Sequence, residues 1–304
     1  MTDYDVIVVG GSAAGLSAAL TLGRARRRVL LLDRRTPRNA PVAHSHGFLT
    51  RDGTPPGELR RIAHEQLEPY GTELRFLEAL RARSVSGGFE LDLEDGSRVR
   101  AARLLLATGV RDLLPDLPGL RERWGRSVHA CPYCHGWEVQ DRPLAVLGRS
   151  ESGYHKAVML HHWSRDTVLL TDGPSGLTPE RLGQLAALGI AVLEDPLSHL
   201  EGAGDALERV VFRGGRVLAR EALFLQPDVR PASDLAAQLG CKMSDNGHNV
   251  VTDAAGQTSV PGVYAAGDMV EPAAHQIAHA VSSGARAAAS LNNALIFAAA
   301  LEQA

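Results

Sequence analysis

Two short runs of consecutive apolar positions open the chain, Val6-Ile7-Val8-Val9 and Val29-Leu30-Leu31-Leu32. They are apolar at every position rather than at alternate ones, which predicts strands buried on both faces, as in a parallel sheet. Between them, Leu16 to Leu22 is rich in Ala and Leu and predicts a helix. The first strand meets that helix through Gly10-Gly11-Ser12-Ala13-Ala14-Gly15, and the second strand ends on Asp33. Strand, glycine turn, helix, strand and terminal acid fit within one βαβ unit. In that order a backbone can approach a pyrophosphate at a helix N-terminus, and a carboxylate can accept from ribose hydroxyls. Ser12 stands where the second glycine of the fingerprint is usual, and it is small enough for the loop to survive. The competing reading is a glycine turn that serves only close helix-strand packing.

The pattern recurs in a weaker copy. Leu144 to Leu147 predicts a buried strand, Gly148-Arg149-Ser150-Glu151-Ser152-Gly153 follows it, Tyr154 to Trp163 reads as a helix, and Val168 to Leu170 as the next strand. Ser150 again replaces the central glycine. The strand ends on Thr171-Asp172-Gly173, where Asp172 suits a free ribose hydroxyl and no arginine nearby offers a 2′-phosphate a partner, so NAD(H) is favoured over NADP(H). Pro115, Pro118 and Gly119 interrupt the periodicity after the buried strand Leu104 to Leu106 and mark a domain crossing. Close to the C-terminus, Gly262 to Asp268 reads as a short strand closing on Gly267-Asp268, and Ala274 to Asn292 as a long Ala-rich helix. Asp268 is placed to hold a cofactor's phosphoribityl arm. The expected fold class is α/β, with two three-layer Rossmann-like nucleotide-binding domains. The first spans 1–113 and 246–304 and is split by an inserted domain over 114–245.

Composition narrows the function classes. The 304 residues are 44% hydrophobic and 22% charged, which excludes disorder as the main state, and a net charge of −3 gives no electrostatic reason to expect nucleic acid. The basic run Arg24 to Arg28 reads as a solvated helix end. No apolar run approaches the ~18 residues of a membrane span. The strand-like start leaves no room for a secretory signal, so a cytoplasmic protein without membrane partners is expected.

Three cysteines cannot build a disulfide framework, yet two of them form Cys131-Pro132-Tyr133-Cys134-His135. A C-x-x-C pair can close a disulfide within one helical turn, and a neighbouring cation or helix N-terminus favours its thiolate. His135 is a titratable group beside the second sulfur, fit to take a proton from an attacking dithiol or return it to a leaving thiolate. A structural zinc would need four ligands, for which only Cys241 and scattered histidines remain; an inert buried pair is the other rival. His44, His46 and the His161-His162 pair read as surface or core histidines, with no metal site expected. Cys241 reads as a bystander, and Tyr133 and Trp137 as packing for the motif.

An N-terminal dinucleotide fold, Ala107-Thr108-Gly109, a C-x-x-C within an inserted nucleotide fold and Gly267-Asp268, in that order, resemble the low-molecular-weight thioredoxin reductases across nearly the whole chain. The Cys-Pro-Tyr-Cys-His form is similar to the branch with dithiol oxidases of the gliotoxin and holomycin type. The resemblance implies FAD on Gly10, Ser12, Ala13, Ala14 and Gly15, with Asp33 at the ribose. It also implies Thr108, Gly109, Gly267 and Asp268 along the flavin arm, and Gln276 and Ile277 at the pyrimidine edge. Arg38, Asn39 and His46 fall in the loop approaching the ring. Cys134 becomes the flavin-facing sulfur and Cys131 the one that attacks substrate, with His135 handling protons. The implied enzyme is an FAD-dependent thiol-disulfide oxidoreductase, a homodimer, acting on a thioredoxin-like protein or a small dithiol or disulfide. The degraded second motif leaves the donor open between NADH and NADPH. It also leaves an oxygen-dependent dithiol oxidase and a non-turnover redox sensor as alternatives.

Overall fold

The computed structural model describes residues 3–270 and 275–302. The chain divides into two compact units, one of Met1–Ala40, Gly57–Asp112 and Val229–Ala304, the other of Pro41–Pro56 and Leu113–Asp228. The first opens with β1 (Tyr4–Val9), α1 (Ala13–Arg24) and β2 (Val29–Leu32), then α2 (Pro56–Leu67), β3 (Glu73–Arg75), β4 (Ala79–Val85), β5 (Gly88–Leu93) and β6 (Arg98–Leu106). β7 (Val110–Leu113) leads out of it. The second unit contains β8 (Val128–His129), α3 (Pro132–His135), β9 (Leu144–Leu147), α4 (Ser150–Leu160), β10 (Thr167–Leu170), α5 (Pro179–Ala187) and β11 (Ala191–Leu193). An antiparallel meander of β12 (Leu197–Glu201), β13 (Arg209–Phe212) and β14 (Val217–Ala219) precedes β15 (Ala222–Leu225). β16 (Asp228–Pro231) pairs with β7 where the chain returns, followed by α6 (Leu235–Gln238), β17 (Val263–Ala265) and α7 (Ile277–Glu302).

The first unit's sheet runs β3-β2-β1-β6-β5-β4 with β17 on β6. Its β1, β2, β3, β6 and β17 pair in parallel, whereas β4 and β5 form an antiparallel flap. The second unit's sheet, β11-β10-β9-β15-β8, is parallel throughout. Both central strands, β1 and β9, are apolar at every core position because layers cover both faces: Ile7 and Val9 pack to one side of the first sheet, Val6 and Val8 to the other. No helix among the described residues is long and apolar enough to cross a membrane.

α1 begins at Ala13, earlier than the apolar pattern predicts, because Ser12 takes the extended N-cap backbone (φ −107°). That negative φ is why a serine serves where the fingerprint has glycine. Gly15 has no such latitude, since a Cβ there would fall on the Gly10 carbonyl oxygen. α4 likewise begins at Ser150 rather than Tyr154. α7 runs beyond the expected Asn292, while the expected start at Ala274 lies outside the described residues.

The outward crossing at 112/113 lies beside the expected 113/114, but the return comes at 228/229 instead of 245/246, and 41–56 belongs to the second unit. Leu235, Ala236, Leu239 and Cys241 bury into the same cluster as Ile7 and Leu104. Nothing in the local composition marks that return; burial alone assigns the segment to the first unit.

Candidate active site

At the carboxyl end of β1, Gly10 takes φ +116° and would collide with Ala107 if it carried a Cβ; a Cβ on Gly11 would meet the Asp33 side chain. Bare backbone therefore faces Asp33. That carboxylate is 5% exposed; Oδ1 accepts from the Arg35 N–H at 2.8 Å, and Oδ2 is buried with no partner among the described residues. A buried carboxylate oxygen left unpaired calls for a donor, and ribose hydroxyls are such donors. α1 has no acid in its first turn, so its positive end meets an anion without competition. These residues fit a dinucleotide.

Asp268 lies just past β17, in a turn opened by Gly267 (φ +78°), whose N–H donates to Ser283 Oγ at 3.0 Å. The structure brings Arg38 to it: Nη1 donates to Asp268 Oδ2 at 2.9 Å, and Nε and Nη2 grip Asp112 at 2.6 to 3.1 Å. Burial alone would lower the Arg38 pKa, but the two carboxylates hold it above the usual range. Thr108 Oγ1 reaches Met269 Sδ at 3.5 Å, and Gly109 takes φ +69°. Gln276 is exposed, and its carbonyl accepts from Ala280 N–H at the start of α7, with Ile277 the first helical residue. Asn39 is half-buried in the turn after Arg38. His46 lies on a segment of the second unit.

In that second unit the dithiol sits on α3. Cys131 is its N-cap, Pro132 its first residue, and Cys134 N–H returns to the Cys131 carbonyl at 3.2 Å. Neither cysteine is in a disulfide, and both are half-buried. The Cys131 thiol is pulled down to about 7, first by the hydrogen bond from Cys134, against the opposing effect of burial. Backbone N–H groups of Cys134 and Tyr133 and the charge of Lys156 help. Cys131 is thus partly thiolate at neutral pH and able to attack a disulfide. Lys156 donates to Ala130 O at 2.6 Å and to Gln226 Oε1 at 3.2 Å, and burial lowers its own pKa. Burial lowers that of His135 as well, against the pull of Glu138, which favours a neutral ring able to accept a proton.

The sequence reading missed four residues here. His129 stacks on His135 with centroids 4.4 Å apart and planes 16° from parallel. Glu138 and Asp112 are partners of His46 and Arg38. Lys156 carried one usable signal: it is one of only two lysines in an arginine-rich chain. A lysine's charge, unlike an arginine's, responds to burial. Two expectations need correcting. Tyr133 and Trp137 do not pack the motif inward but stand 68% and 70% exposed, with Tyr133 edge-on to Trp163. An arginine is also present at the β10 terminus: Arg149 donates to Thr171 O at 2.5 Å and to Asp172 O, brought there by the turn after β9. Cys241 is buried against Thr258, apart from the dithiol in the other unit.

The second nucleotide fold holds Asp172 as the first holds Asp33, through a backbone N–H on one carboxylate oxygen. Ser150 N–H is bonded to Ser175 O at 2.8 Å, Glu151 lies in the first turn of α4, and Asp172 Oδ1 accepts from Leu197 N–H at 2.7 Å. The loop at the head of α4 is thus bonded within the chain, and α4 carries an acid in its first turn where α1 has none.

Residues 4–284 match the family model of the pyridine nucleotide-disulphide oxidoreductases. Thioredoxin reductase sirT of Leptosphaeria maculans is 32% identical, covering 95% of this chain and 93% of its own. Among solved structures, an oxidoreductase from Agrobacterium tumefaciens is 39% identical with a TM-score of 0.91, covering 98% of this chain and 99% of that one. HlmI is also 39% identical at 0.91, covering 98% and 95%. Both Rossmann-type sheets, the dithiol on the second unit and these similarities agree: the chain is a thioredoxin reductase-like oxidoreductase, of a family that works with a flavin and NAD(P)H, and belongs to the pyridine nucleotide-disulphide oxidoreductases.

Proposed function

We propose that the protein is an FAD-dependent thiol-disulfide oxidoreductase that passes electrons between the flavin, the Cys131/Cys134 pair and a disulfide or dithiol of a small molecule or thioredoxin-like protein. The observation that carries this is the Cys131 thiol, held near neutrality beside Cys134 and a half-buried histidine. Gly10, Ser12, Ala13, Ala14 and Gly15 would cradle the pyrophosphate, and Asp33 the ribose. Arg38 with Asp268, Thr108, Gly109, Gly267, Asn39, Gln276 and Ile277 would line the rest of the flavin. Bound there, the flavin supplies a two-electron couple. Cys131 attacks the substrate sulfur, Cys134 resolves the mixed disulfide, and His135 holds the proton exchanged with the thiols. Tyr133 and Trp137, exposed beside α3, offer apolar faces to whatever carries the sulfur.

A second reading concerns direction. Because Ser150 N–H and the Thr171 and Asp172 carbonyls after β10 are already engaged, and Glu151 opposes a phosphate at the helix start, the second fold favours a dithiol oxidase with oxygen as acceptor over a nicotinamide-driven reductase. Anaerobic titration of the FAD-loaded protein separates them. Bleaching by NADH or NADPH supports the reductase. Bleaching by dithiothreitol alone, with oxygen consumed on re-aeration, supports the oxidase. A protein that binds no FAD, or keeps full turnover as Cys134→Ser, refutes the proposal.

A further inference from the structure

Three imidazoles lie in sequence through the second unit, and proton handling by His135 accounts for only one. His129 is 4% exposed, wedged between Phe224 (centroids 5.2 Å) and the face of His135, with Nδ1 buried and without a partner among the described residues. His135 is half-buried. His46 meets it edge to face, with centroids 6.3 Å apart and planes at 82°. Beyond lie two carboxylates, Glu138 at 3.4 Å from His46 Nε2 and Asp52 at 3.6 Å from Nδ1. Side-chain exposure rises along this path, 21% at His46, 37% at Glu138 and 72% at Asp52. The loop that carries His46 is closed on itself by Ser45 and Thr54, and Asp52 caps the Gly47 N–H at 2.8 Å, so the ring is held in place.

The geometry points to a proton path in which His46 carries the proton of His135 out to Glu138, Asp52 and water, while His129 fixes the plane of the His135 ring by stacking. His46 and His129 act through His135 and are positioning residues. An imidazole suits the outlet because it can take a proton on one nitrogen and release one from the other. His129 cannot carry charge itself, since burial drives its pKa down to about 3. The groups facing His135 are His129 on β8, His46 on the loop and Glu138 beyond α3; those facing His46 also include Asp52 and His44.

This rests on the thiol-disulfide reading. With Cys131 and Cys134 oxidised to their disulfide, a substrate thiol gives its proton to His135. The thiolate forms a bond to Cys131 Sγ, and the Cys131–Cys134 bond breaks with its electron pair on Cys134. The second substrate thiolate then displaces Cys131. The substrate becomes a disulfide and the protein a dithiol. Its two electrons rest on the two sulfurs, and any proton these do not keep leaves through His46.

The test is stopped-flow bleaching of the FAD-loaded protein by dithiothreitol, anaerobically, from pH 5.5 to 9, with melting temperatures alongside. His46→Gln is expected to slow bleaching ~10-fold or more at pH 7 and to respond to added imidazole, with the melting temperature unchanged. His129→Ala is expected to slow it, and His129→Phe, which keeps a flat ring, to restore it. In NMR titrations, independent of turnover, His46→Gln should raise the His135 pKa, because His46 opposes charge there. Wild-type bleaching with an unaltered His46→Gln rate and an unmoved His135 titration overturns the path alone. No bleaching of wild type by dithiothreitol overturns the thiol-disulfide reading and the path with it.

Discussion

Replacing Cys134 by alanine removes the hydrogen bond that contributes most to holding the Cys131 thiol at about 7. The thiol should then rise toward the ordinary value of ~8.5. At pH 7 the ionised fraction falls from about one half to ~3%, a ~15-fold loss of attacking species. The higher-pKa thiolate is more nucleophilic, and a Brønsted slope of ~0.45 over ~1.5 units returns ~5-fold. Alkylation of Cys131 by iodoacetamide at pH 7 should therefore slow only ~3-fold in Cys134→Ala, whereas near pH 9.5 the variant should react ~4-fold faster than wild type. The two pH-rate curves must cross. The assay is site-resolved mass spectrometry of prereduced protein, following Cys131 alone across the pH range. Parallel curves, or a wild-type inflexion near 8.5, would refute the assignment of Cys131 as the activated thiol.

Asp33→Ala removes the carboxylate with the unpartnered buried oxygen and should weaken FAD binding ~10- to 100-fold in a fluorescence titration, in line with a hydrogen bond to a charged group; unchanged affinity would remove Asp33 from the ribose. Gly15→Ala drives a Cβ into the Gly10 carbonyl and should cost ~3 kcal/mol or more by denaturant unfolding, against under ~1 kcal/mol for the open, exposed Gly183→Ala. His129 accepts a proton only near pH 3 when folded but near ~6.5 when unfolded, so the unfolded state gains protons first and stability falls as the pH drops through that window. Relative to His129→Phe, wild type should lose ~2 kcal/mol of unfolding free energy between pH 6.5 and 4.5, and a constant difference would contradict the buried neutral ring. Trp137→Ala, at an exposed position, should leave the melting temperature within ~1 °C and raise KM for a disulfide substrate, whereas a fall in stability would restore its packing role.

What the sequence determined by itself is what short-range order encodes. Runs such as Val6 to Val9 and Leu144 to Leu147 point to strands buried on both faces, as in a parallel sheet, and glycine turns followed by helices place both βαβ units. The dithiol and its histidine are legible because reactivity there depends on neighbours within one turn. Contacts between distant segments decided the rest. Residues 229–245 join the first unit because Leu235, Ala236 and Leu239 bury there, with no compositional mark at the return. His129 and His46 bracket His135 from a strand and a loop whose spacing from it has no period. Arg149 spans a gap of 22 residues to reach Thr171, turning an apparent nucleotide motif into one that bonds to itself. Burial and hydrogen-bond satisfaction are properties of the packed chain, and no local pattern in the sequence encodes them.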